Sequence, residues 1–140
     1  MTSCSLAAGA LLAVLLALAA PTAGAKEGVA ARVLTPISRA AEPGSKVTVV
    51  WTLTYDDAGK RRPFGAGYVF VRLFGPGGSR TPPAYGVHAG QRGRYRASVR
   101  VPRGGVTRVA IGVMGSVCDG GTPGCRPAPK FFPIVGRALR

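Results

Sequence analysis

Carboxylates and histidine are scarce in this chain: five Asp and Glu and the single His88 stand among 140 residues, with one Trp, two Met and three Cys. So small a stock leaves little material for a paired-carboxylate active site or a metal cluster. A Ser-His-Asp hydrolase finds no support either, because His88 lies in a Gly-rich stretch and no G-x-S-x-G occurs. Neither catalysis nor a cofactor is expected. Copper carriage needs clustered His, Met or Cys. Beyond residue 25 the chain offers His88, Met114 and two cysteines, so no metal site is assigned.

Negative charge is the other deficit. Nineteen Lys and Arg face the five acids, for a formal net charge of +14. Apolar residues make up 46% of the chain, too many for a disordered basic tail, and the 21 glycines show no collagen-like period of three. The length suits one domain.

Leu6 to Ala20 reads LAAGALLAVLLALAA, an uncharged apolar run followed by Pro21 and Ala23-Gly24-Ala25. This is the pattern of a helical secretory signal with an A-x-A cleavage site, and the run is shorter than the ~20 residues of a spanning helix. Residues 1–25 are therefore expected to be a signal peptide cut after Ala25, which leaves residues 26–140 as the exported domain with no transmembrane span. The n-region MTSCS has no basic side chain, and a retained anchor is the other reading. Cys4 precedes the apolar run and would leave with it. Cys118 and Cys125, in CDGGTPGC, lack metal-ligand spacing, so a structural disulfide is expected in an oxidising compartment. Closing about eight residues would contribute roughly 2.5 kcal/mol on the loop-entropy account.

Past the signal no helical period appears. Short alternating segments separated by Gly and Pro predict strands. Val29 to Leu34 is a weak first strand. Val47, Val49, Trp51, Leu53 and Tyr55 alternate with Thr48, Val50, Thr52 and Thr54, and Asp56 to Gly59 then turns the chain. Tyr68 to Phe74 is apolar on both faces, which fits a strand covered on both sides or one with an exposed aromatic face. Gly75 to Arg92 is loop-like, with a short strand near Ala84 to Val87. In Arg94 to Val101, Tyr95, Ala97, Val99 and Val101 point inward and Arg94, Arg96, Ser98 and Arg100 outward. Val106 to Val113 and an edge piece, Phe131 to Val135 with Pro133, complete an all-β antiparallel sandwich of about seven strands.

The succession of a Pro-Gly-led strand bearing Trp51, then PFGAGYVFVRL (Pro63 to Leu73), then GRYRASVRVP (Gly93 to Pro102) resembles the immunoglobulin-like secreted domains of bacteria, including the YtkA-like type. The resemblance spans Ala40 to Gly115 and implies an Ig-like β-sandwich. These motifs are shared by domains of many functions, so they imply no activity.

Arginine carries the functional signal. Arg92, Arg94, Arg96 and Arg100 share a parity, with successive neighbours about 6.7 Å apart on an extended strand. Arg103 and Arg108 flank the next turn and strand, and Arg61-Arg62 form a further pair, expected in another loop. Guanidinium forks hold phosphate, sulfate or carboxylate in a bidentate manner. The expected anion-binding set is therefore Arg92, Arg94, Arg96, Arg100, Arg103 and Arg108. The expected partner is a polyanion or anionic cell-envelope component such as teichoic acid, lipid headgroups or an acidic glycan. No specific nucleic acid is expected, because Tyr95 points away from the arginines and offers them no stacking platform. The expected role is that of a non-enzymatic, secreted binding or accessory module, monomeric or weakly dimeric. The alternatives are an extracytoplasmic small-ligand or copper-handling protein and a purely structural domain. Fifteen Arg against four Lys amid abundant Ala, Gly and Pro is also what GC-rich coding produces, and outward charge ordinarily protects a sheet from edge pairing.

Overall fold

The computed structural model describes residues 28–117 and 126–140. The expected signal segment and cleavage point, and the expected Cys118–Cys125 disulfide, lie outside the described residues. Among the described residues there are nine strands: β1 (Ala30–Val33), β2 (Lys46–Asp57), β3 (Lys60–Pro63), β4 (Val69–Phe74), β5 (Ala84–Tyr85), β6 (Val87–His88), β7 (Arg94–Arg100), β8 (Arg108–Val117) and β9 (Arg126–Phe131). They form two antiparallel sheets, as a β-sandwich requires. The first has the order β1-β2-β7-β6, with β3 also paired to β2, and the second has the order β5-β4-β8-β9.

The count exceeds the expected seven for two local reasons. The turn after Asp57 is a two-residue loop with positive φ at Ala58 (49°) and Gly59 (79°), the twist that suits a tight hairpin. Asp56 Oδ1 accepts from the Gly59 N–H at 2.8 Å, and the chain returns at once as β3. Arg61 and Arg62 therefore lie on a strand and point to opposite faces. The second reason is Gly86, where one extended segment leaves the second sheet as β5 and enters the first as β6.

Alternation sets the core. Val49, Trp51 and Leu53 of β2, Val69, Val71 and Leu73 of β4, Tyr95, Ala97 and Val99 of β7, and Val109 and Ile111 of β8 are all buried in one cluster between the sheets. Trp51 stacks on Tyr95 with ring centroids 5.9 Å apart. The Tyr95 hydroxyl accepts from the Ala66 N–H at 2.7 Å and donates to the Ala66 carbonyl at 3.0 Å, which ties the segment before β4 to β7. Replacing Tyr95 by Phe breaks both bonds while keeping the ring. A loss of about 1–3 kcal/mol in urea unfolding is expected, and an unchanged midpoint would show that the tie contributes nothing.

The edges at β9 and β1 are handled differently. At β9 the register places Pro127 opposite Ser116 and Pro129 opposite Met114. Phe132 donates to the Ile111 carbonyl, so by alternation the prolines turn their nitrogens away from β8, where a missing N–H leaves no ladder bond unmade. Such prolines blunt an edge against pairing with a further strand. The chain then crosses at Phe132-Pro133 to the first sheet. There Ala31 donates to Pro133 O and Val135 to Ala31 O, each at 2.8 Å, and Ile134 bridges Ala31 in parallel and packs against the core. The single edge piece expected over Phe131 to Val135 is thus divided: β9 ends at Phe131, and the remainder lines β1.

Candidate anion-binding face

β7 presents its side chains as the alternation requires. Tyr95, Ala97 and Val99 are buried, Arg96, Ser98 and Arg100 are exposed, and Arg94 is half-buried. Strand pairing brings further cations beside them. Arg94 lies opposite Thr52, and on the far side of Thr52 lies Arg32 of β1; Arg100 lies opposite Lys46. Arg61 of β3 lies opposite Asp56, two residues along β2 from Thr54. The outer face of the first sheet thus gathers Arg32, Lys46, Arg61, Arg94, Arg96 and Arg100 around Thr48, Thr52, Thr54 and Ser98, with Asp56 as its acid.

Among the described residues, none of these six cations is in an ion pair; the ion pair present is Arg62 with Asp57, at 3.5 Å. Asp56 already accepts from the Gly59 N–H, and Arg61 Nη1 donates to Thr54 Oγ1 at 3.2 Å. Arg100 Nη1 donates to the Gly44 carbonyl at 2.9 Å, and the enclosed Nε of Arg94 has no hydrogen-bond partner. Neighbouring strands are about 4.8 Å apart and same-face residues along a strand about 6.7 Å, so adjacent cations lie within about one Debye length, roughly 8 Å at physiological salt, and their potentials add.

The six arginines singled out from sequence do not form one site. Arg92 is exposed in the turn before β7, beside Gly65, and Arg103 is exposed in the turn after it. Arg108 belongs to the second sheet, where its guanidinium covers the Phe74 ring at 3.6 Å from the centroid. Sequence reasoning missed Arg32 and Lys46 altogether and placed Arg61 in a loop. The only local signal for the first two was their position in alternating segments, and no spacing along the chain links them to β7.

The outer face of the second sheet is aromatic. Phe70 points outward yet is buried, because Tyr85 and Phe131 meet it edge to face at 6.2 and 5.9 Å and Arg72 lies 5.9 Å from its ring centre. β4 is therefore covered on its outer side at Phe70, whereas Arg72 and Phe74 are half-buried and Tyr68, just before the strand, is exposed. His88 is exposed at the end of β6 with its ring 4.9 Å from that of Tyr95, on the first sheet, whereas Met114 belongs to the second. Among the described residues no group of three His, Cys, Asp or Glu comes together, and no helix is long and apolar enough to cross a membrane.

No family model matches the chain, and no curated protein or solved structure matches it.

Proposed function

We propose that this protein is a non-enzymatic, exported binding or accessory module of the Ig-like, YtkA-like type, and that it associates with an anionic cell-envelope polymer through the outer face of its first sheet. The observation that carries this reading is the gathering of Arg32, Lys46, Arg61, Arg94, Arg96 and Arg100 on one face, none of them in an ion pair among the described residues. Charges left open to solvent lose little when an anion arrives, and each contact releases counterions from the polymer. The apolar run at residues 6–20 supports export, and the Trp51–Tyr95 stack between two antiparallel sheets fits the Ig-like assignment.

The test is binding of the protein to a teichoic-acid-type polymer across a salt series. Affinity should fall steeply with salt, and replacing Arg94, Arg96 and Arg100 together by Ser should flatten the log–log slope by about 2 while lowering affinity at every salt. Because Arg94 is half-buried, Arg32→Gln with Lys46→Gln and Arg96→Gln serves as a second triple variant, with melting curves confirming its fold. If both triples bind with the parent's slope, the face is surface charge alone.

A further inference from the structure

We propose that the concavity between β1, β2 and β3 is a discrete site for a tetrahedral phosphate of the monoester kind. The inference rests on the polyanion reading and names a terminal or pendant phosphate of such a polymer, as distinct from the diesters of its backbone, as the group that this concavity would select. The concavity is about 330 Å³ and is lined by Arg32, Thr52, Thr54, Arg61 and Val135. Three strands build it: Arg32 stands opposite Thr52 on one side of β2, and β3 brings Arg61 to the other side beside Thr54. The carboxy-terminal segment supplies the wall, since Val135 is held by its N–H bond to Ala31 O.

The chemistry of the lining is that of an anion site. Thr54 Oγ1 accepts from Arg61, which leaves its own hydrogen free to donate outward, and the Thr52 hydroxyl lies one alternation away on the same face. Asp56, the nearest acid by register, gives one carboxylate oxygen to its turn. The two arginines come from strands on opposite sides of β2, and the two threonines of β2 lie between them. A planar carboxylate satisfies one fork with both of its oxygens, whereas a phosphate monoester offers three oxygens out of plane and close to two negative charges, matching the two arginines. Next to the concavity, across Thr52, lies the partnerless Nε of Arg94, which adds to the field.

The experiment titrates the protein with inorganic phosphate, glycerol phosphate and acetate at fixed ionic strength, followed by amide and guanidinium NMR shifts. Saturable shifts centred on Arg32, Thr52, Thr54 and Arg61 are expected for both phosphates and not for acetate, and tighter glycerol phosphate would mark an ester as the natural source. Arg32→Gln and Arg61→Gln should each weaken phosphate binding by about tenfold or more, and Thr54→Val should weaken it several-fold, whereas Arg80→Gln, beside Phe74 on the second sheet, should change it little. Shifts that do not saturate, that spread evenly over the face or that acetate reproduces would overturn the site. If polymer binding with a salt slope persists in that case, the polyanion reading stands without it. Loss of polymer binding as well would remove both.

Discussion

Gly86→Ala is expected to lower stability by about 3 kcal/mol, which for a domain of this size moves the melting temperature down by roughly 12–20 °C. A Cβ at this position would stand 2.6 Å from Trp51 Cη2 and 2.7 Å from Cζ2, and 3.3 Å from Tyr95 Cβ. No rotamer of an alanine relieves such a contact, so either the fully buried indole or the backbone must move. The backbone has little freedom, because Gly86 donates to Val69 O at 2.8 Å just where the segment passes from one sheet to the other. Trp51 is the chain's single tryptophan, so its emission reports the core directly. A red shift should accompany the lower melting point. A variant that melts with the parent and keeps its emission would show that the crossing is not closed against Trp51.

The second large effect is expected at Gly112, in the middle of β8. An added Cβ would meet Lys130 O at 2.6 Å, Phe70 Cζ at 2.8 Å and Phe131 Cδ1 at 3.2 Å. Two of these neighbours are rings, but the nearest is backbone of β9, which cannot yield without leaving the ladder. Gly112→Ala should therefore cost about 3 kcal/mol and act unevenly. Phe70 would lose the cover of Phe131, and β9 would detach first. Amide exchange separates this from general loosening: the Phe132 N–H, bonded to Ile111 O at 2.9 Å, should lose protection well before the amides of β2 and β7. Uniform loss across both sheets would contradict this account.

Much of the fold is legible in the chain because strand alternation is a local property. The inward set of β2 and β7, the turn at Asp56 to Gly59 and the Arg94, Arg96 and Arg100 face all follow from a period of two and from turn chemistry. Such reasoning is silent where the same residues admit two geometries. Gly86 falls in the short strand expected near Ala84 to Val87, and it is the pairing of β5 with β4 and of β6 with β7 that makes it a passage between sheets. Phe70 fits a covered face and an exposed aromatic one equally well in the sequence, and it is Tyr85 and Phe131, distant along the chain, that cover it.

The candidate site divides along the same line. Residue order alone settled which β7 side chains point outward, because a pleated strand separates odd from even whatever it pairs with. It also settled the excess of positive charge. Which cations share a surface was decided by register. Arg32 and Arg94 are 62 positions apart in the chain, and they flank one threonine because β1 and β7 both pair with β2 at Thr52. Arg108, eight positions after Arg100, was carried to the opposite sheet and laid over Phe74. Pairing between distant strands depends on the packing of the whole core, and short-range pattern holds no record of it.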